Sequence, residues 1–223
     1  MSSDEALSNT LLSSDSIHIF GSGLNTERPA NKAIHDLSGK GWRLVPLHLK
    51  DAGATISNIP IRKEIDEGII PEIVVLFLAP QRALSVVKQF LFRFQASEFP
   101  LIWFQRGAKN DDAVSMLEDI GAKFVVEDCI VEYINRNSLV KSSKTPTLPW
   151  YRQTKDLSKD GCSIWSAFSG SEINTNFEGE FEWVGDLWDL EASQHIIPRY
   201  IRSMQKEEET LEELALRLSL IHI

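Results

Sequence analysis

Residues 16–48, SIHIFGSGLNTERPANKAIHDLSGKGWRLVPLH, constrain the fold of this chain more than any other stretch. An apolar run from Ser16 to Phe20 stops at Gly21. Pro29 then opens a segment that sets Ala33, Ile34 and Leu37 on one helical face, and Gly39 and Gly41 follow it. Proline suits the first helical turn, where its missing N–H has no partner anyway, and glycine suits the exit. Residues 42–47, WRLVPL, are apolar again. Strand, glycine turn, helix and strand in this order predict a parallel βαβ unit with a right-handed crossover. The turn falls where the amides of a starting helix can meet an anion, which is half of a mononucleotide-binding fold.

The alternation continues. A short strand is expected near residues 54–59 and a turn or short helix near 62–67. Residues 73–78, IVVLFL, read as a strand buried on both faces. A helix is expected over 81–94, a strand over 101–105, a helix over 110–120 and a strand over 123–127. The last helix has Asn110 as N-cap, Asp111 and Asp112 in its first turn, Gly121 at its stop and a stripe of Ala113, Met116, Leu117 and Ile120. The fold class is therefore α/β, a Rossmann-like doubly wound parallel sheet over residues 15–137. Residues 1–14 are polar and read as a flexible tail; residues 138–149, rich in Ser, Thr, Pro and Lys, read as a linker.

Residues 150–223 form a Trp-rich, acidic C-terminal extension, with Trp150, Trp165, Trp183 and Trp188. NFEGEFEWV (176–184) alternates apolar and Glu residues like a half-buried strand. From Pro198 to about Leu220 a long helix is expected, with Ile201, Met204, Leu211, Leu214 and Leu218 on one face and a polar gap at 206–209. That face packs either within the chain or across a homodimer.

Composition excludes several classes. A net charge of −9 without a basic run argues against nucleic acid. No apolar run approaches the roughly 18–20 residues of a membrane span. The N-terminus lacks a basic n-region, and Cys129 and Cys162 make neither a disulfide framework nor zinc spacing, so a reducing cytoplasm is expected. No Gly-x-Ser-x-Gly, His-Glu-x-x-His or Walker sequence occurs, and no catalytic or metal-binding residue is nominated. Glu178, Glu180 and Glu182 read as solvated strand carboxylates, Cys129 as an inert thiol, and His35 and His195 as surface residues.

Gly21-Ser22-Gly23, then Asn25, Glu27, Arg28 and Pro29, with Val45-Pro46-Leu47-His48 closing the second strand, resemble the first loop and second strand of the stand-alone CoA-binding domain proteins. These are Rossmann-like relatives of the CoA-binding domain of the succinyl-CoA synthetase alpha subunit. LFLAPQRALSVV (76–87) is similar to that family's Phe-x-x-Pro-Glu segment. LIWFQRGAKNDDAVSMLEDIGAKFVVEDC (101–129) is similar to its Trp-x-Gln-x-Gly-x-x-Asn-x-x-Ala stretch and late Cys. The resemblance implies non-catalytic binding of CoA, acyl-CoA or a related adenine nucleotide by a carrier, sensor or regulatory module. It implies that Gly21 makes the turn and that Ser22, Gly23 and Asn25 offer amides to a pyrophosphate at the helix opened by Pro29. Arg28 would supply charge, Pro46 and His48 would wall the adenine or ribose, and Pro80 would shape the opposite rim. Gln105, Gly107 and Asn110 would line the far side.

The chain departs from the family pattern at Ser22-Gly23, His48-Leu49 and Glu127-Asp128. Asp128 puts an anion where the pattern has a cation, and a like-charge pair near 4 Å costs about 4 kcal/mol at an effective dielectric of about 20. Arg106 and Lys109 would offset it if they faced the cleft. Two further readings stay open. One is a degenerate nucleotide domain serving protein–protein interaction. The other is a CoA- or NAD(P)-dependent enzyme using the same cleft, although the acidic residue that NAD prefers after the second strand is absent from Leu47-His48-Leu49.

Overall fold

A computed structural model describes residues 3–141, 148–155, 163–168, 177 and 179–219. The chain forms two compact units, Met1–Pro46 with Ile70–Thr145, and Leu47–Ile69 with Pro146–Ile223.

The first unit is built on a five-stranded sheet in the order β2-β1-β5-β6-β7. Its strands are β1 (Ser16–Phe20), β2 (Arg43–Leu47), β5 (Ile73–Leu76), β6 (Leu101–Phe104) and β7 (Phe124–Val125). Strands β1, β5, β6 and β7 pair in parallel. The residues of β5 and β6 are buried throughout, as continuous apolar runs between two helical layers require. Helix α2 (Pro29–Leu37) buries Ala30, Asn31, Ala33, Ile34 and Leu37, α3 is Pro80–Arg93, and α4 is Asp111–Asp119. Asn110 caps α4, its Oδ1 accepting from the Ala113 amide at 3.1 Å. A short helix, α5 (Ile130–Arg136), follows β7 and was not legible in the sequence.

The reading of residues 1–14 as a flexible tail is corrected: Ser3–Ser13 form helix α1. Leu11 is fully buried, and its carbonyl accepts from Trp42 Nε1 at 2.9 Å. Tyr133 Oη donates to the Asp4 carbonyl at 2.8 Å. The segment is polar because only a few of its groups anchor it, so no apolar stripe advertised the helix.

The second unit joins an antiparallel hairpin, β3 (Thr55–Ile56) and β4 (Ile59–Pro60), to a three-stranded antiparallel sheet. That sheet contains β8 (Trp150–Lys155), β9 (Ser163–Phe168) and β10 (Phe181–Asp186) in the order β10-β8-β9. Ser57 and Asn58 turn the hairpin with φ of 50° and 64°, the left-handed pair that a two-residue hairpin turn needs. Tyr151, Trp165 and Trp183 stack in a row, with centroids 5.6 and 5.8 Å apart. Helices α6 (Leu187–Ala192), α7 (Ile196–Ser203) and α8 (Leu211–Ser219) complete this core with Leu190, Ile197, Ile201, Leu214 and Leu218.

Three further expectations change. Residues 47–69 pack in this unit rather than in a continuous domain over 15–137, because Arg62 is buried with Asp186 and Asp189. Its Nη2 lies 2.7 Å from both carboxylates and its Nε donates to Asp189 at 2.9 Å. The expected long helix is two helices, since Glu208 takes a φ of 64° and Glu213 caps the second start by accepting from the Thr210 amide at 2.8 Å. The alternation over 176–184 breaks where β10 bulges between Phe181 and Trp183. Most of the expected linker, 142–147, lies outside the described residues, as do Cys162 and Glu178.

Candidate functional site

The strand register sets the site. Phe20 pairs with Leu76 and Leu76 with Phe104, so β1, β5 and β6 end level and the chain leaves all three along one carboxyl edge. From β1 the chain crosses to β2, and from β5 it crosses to β6 on the other side. The order therefore reverses between β1 and β5, and open α/β sheets bind ligands at such a switch point.

Gly21 stands there with a φ of 92°. A Cβ on Gly21 would lie 2.4 Å from the Phe77 carbonyl oxygen, so the position accepts only glycine. The freedom that glycine supplies is needed here to clear the Phe77 backbone. The Gly23 amide donates back to the Gly21 carbonyl at 3.0 Å. Ser22 is fully buried, and its hydroxyl donates to the Ala30 carbonyl at 3.2 Å, which turns that side chain inward. Asn25 accepts the Glu27 amide at 3.0 Å on its side chain and the Arg28 amide at 3.0 Å on its carbonyl. Asn25, Arg28 and Pro29 are exposed, and Pro29 occupies the first turn of α2.

On the other side of the switch point Pro80 is exposed at the start of α3. Gln105 follows β6 directly; it is 5 % exposed, and its Nε2 has no partner among the described residues. Gly107 has a φ of 78° with open space beside it, and Asn110 is committed to capping α4. The two residues of the expected wall fall in different units. Pro46 is buried within β2, and His48 belongs to the second unit, where its Nδ1 lies 3.1 Å from Asp51 Oδ2.

The expected anion at Asp128 is present but compensated. Its Oδ2 pairs with Arg136 Nη2, and its Oδ1 accepts from the Cys129 amide at 2.8 Å and from Arg136 Nη1 at 3.0 Å. The Arg136 guanidinium holds the carboxyl below the usual carboxylate range, burial working against it. Arg106 and Lys109, the expected offsets, are paired with Glu132 and Asp111. Half-buried Cys129 stands at the N-cap of α5. Among the described residues no group of His, Cys, Asp and Glu could hold a metal, and no helix is long and apolar enough to cross a membrane.

Asn31 was not singled out from the sequence. It is 3 % exposed, its Nδ2 donates to the Gly23 carbonyl at 2.8 Å, and its Oδ1 has no partner among the described residues. The signal was an amide standing between Ala30 and Ala33 in an apolar stripe.

A family model described as "CoA binding domain" matches residues 15–134. The uncharacterized protein YneT of Bacillus subtilis (strain 168) is 27% identical over 106 residues, 47% of this chain and 72% of that protein. Among solved structures, Prb (the PH1109 protein redesigned for binding) aligns with a TM-score of 0.54 and 20% identity, over 63% of this chain and 95% of that one. A hypothetical protein from Pyrococcus horikoshii OT3 aligns with a TM-score of 0.52 and 22% identity, over 60% and 91% of the two chains. A Thermus thermophilus protein, cell-free ID.343, gives 0.53 and 20%, over 60% and 97%. At these identities the structures speak for the fold alone.

Proposed function

Since this chain belongs to the CoA binding domain family, we propose that its first unit binds CoA, an acyl-CoA or a related adenine nucleotide without catalysing a reaction. It would act as a carrier, sensor or regulatory module in the cytoplasm. One observation carries the reading beyond the family match. At the switch-point edge Gln105 keeps a sealed, unpartnered amide N–H₂ two strands from the Gly21 turn, a span of roughly 9.6 Å.

The residues fit such a ligand. Gln105 Nε2 offers a donor to a phosphate or a pantetheine carbonyl, and Asn31 Oδ1 offers an acceptor to a hydroxyl or amine. Arg28 is exposed at the start of α2, where its charge adds to the helix dipole. The proposed contacts are the Gly21–Asn25 loop, Arg28, Pro29, Pro80, Gln105 and Gly107, with Asn110 holding the far turn. Compensation of Asp128 by Arg136 removes the main electrostatic objection to a phosphate-rich ligand.

Calorimetric titration with CoA, acetyl-CoA, NAD, NADP and ATP tests this. CoA species bind, and Arg28→Gln weakens them about tenfold, the worth of one charged hydrogen bond. Absence of a response to all five would sink the proposal and leave a protein-interaction role.

A further inference from the structure

The second unit holds hydrogen-bond donors that the nucleotide reading does not use. Trp150 and Arg152 lie two residues apart on β8, so their side chains share one face of the sheet, about 6.6 Å apart along the strand. The Trp150 indole is fully buried and stacks on Phe168 at 3.8 Å and 10°. The Arg152 guanidinium lies 4.0 Å from the Phe177 ring centroid, 5.1 Å from that of Phe168 and 5.8 Å from that of Trp150. Its Nη1 donates to the Gly53 carbonyl at 2.9 Å. Phe177 closes over that turn so tightly that a Cβ on Gly53 would lie 2.8 Å from its Cδ1.

One donor on Arg152 and one on Trp150 remain unsatisfied. Arg152 Nε and Trp150 Nε1 are both sealed from solvent and meet no acceptor among the described residues. Burial lowers the Arg152 pKa from the usual arginine value. Arg62, the fully buried guanidinium of the same unit, is instead held by two aspartates. Aromatic faces attract a cation, but they leave the in-plane N–H groups of a guanidinium without acceptors. A cation with an unpartnered Nε–H, beside an indole N–H that also lacks a partner among the described residues, is complementary to an oxygen-rich anion.

We propose that Trp150, Arg152 and Phe177 form a binding site in the second unit for the oxyanion group of a small molecule, a carboxylate or a phosphate. The guanidinium edge receives two oxygens side by side, the geometry that favours arginine at such groups, and the indole donates a third bond. All three residues belong to the second unit.

The test titrates the full-length protein with inorganic phosphate and, separately, with acetate, reading tryptophan emission and the thermal midpoint. At least one anion produces a saturable change; a phosphate response identifies a phosphoryl group, and an acetate response a carboxylate. Arg152→Gln weakens the response about tenfold or more. Trp150→Phe keeps the ring on Phe168, deletes the N–H and weakens it several-fold, which decides the matter if Arg152→Gln does not fold. Arg152→Gln leaves the calorimetric response to CoA unchanged, so this site and the nucleotide site fail separately. No response to either anion, or an equal response in the wild type and both second-unit variants, overturns the proposal.

Discussion

Gly21 shows how a single residue can be required for a reason other than the one its motif suggests. In the sequence it reads as the glycine that makes the turn of a phosphate loop. The 2.4 Å approach of a hypothetical Cβ to the Phe77 carbonyl gives it a steric requirement as well. Gly21→Val must both hold a β-branched residue at positive φ and push β1 from β5. It should lower stability by about 2–4 kcal/mol in denaturant unfolding; an unchanged midpoint would show that the turn relaxes freely. Tyr151 makes the opposite case. Its hydroxyl is buried without a partner among the described residues, and burial pushes its pKa well above the usual tyrosine value. Tyr151→Phe keeps the stack on Trp165 and removes the unsatisfied group, so it should stabilise by about 1 kcal/mol. A loss of that size would mean that the hydroxyl is satisfied in solution. Neither effect was legible in the sequence, because each depends on an atom from a distant segment.

At the scale of elements, the strands and helices of the first unit were legible because each is an unbroken periodic run with its own stop. Residues 73–76, 80–93 and 101–104 fall where period and breakers put them. The second unit was harder to read because its breaks do not interrupt the apolar spacing. Ile201, Met204, Leu211, Leu214 and Leu218 keep a helical repeat straight across the gap between α7 and α8. The signal for the break lay in the polar residues, a Thr210-x-x-Glu213 capping box. Glu209 holds the gap closed, accepting from Arg217 Nε at 2.6 Å and from the Lys206 amide at 3.0 Å. The Arg217 bond, then the Lys206 amide, bring the pKa of Glu209 down to about 2. A depressed carboxyl stabilises the folded state above its unfolded pKa, near 4.3, and the benefit is lost as pH falls through the folded value. Wild type should therefore exceed Glu209→Gln in thermal midpoint at neutral pH, with the difference vanishing between about pH 4.5 and pH 2. A difference that persists at pH 2 would place the effect of Glu209 outside its charge.

The whole molecule is organised differently from its order in sequence. The family match spans residues 15–134, yet residues 47–69 inside it pack with the C-terminal region. A linear reading had no means of seeing this, since Arg62 looks like any surface arginine until Asp186 and Asp189 stand beside it. Those two carboxylates also build the start of α6: Asp186 accepts the Trp188 and Asp189 amides, and Asp189 accepts the Asp186 amide. Arg62 thus joins an inserted segment to a helix start more than a hundred residues away. Removing it leaves two buried carboxylates facing each other, and truncation of a buried ion pair destabilises by about 3–5 kcal/mol. Segments that open together exchange their amides with a common free energy. The amides of His48, Gly53 and Ile61, bonded to Arg62, Ile61 and Ala54, should therefore exchange with those of β8 and β10 in native-state hydrogen exchange. Arg62→Ala should accelerate both sets by a similar factor while β1 and β5 keep their protection. If residues 47–69 instead lost protection alone, or followed β1 and β5, the second unit would not be a single cooperative body, and the ion triad would be a local clasp.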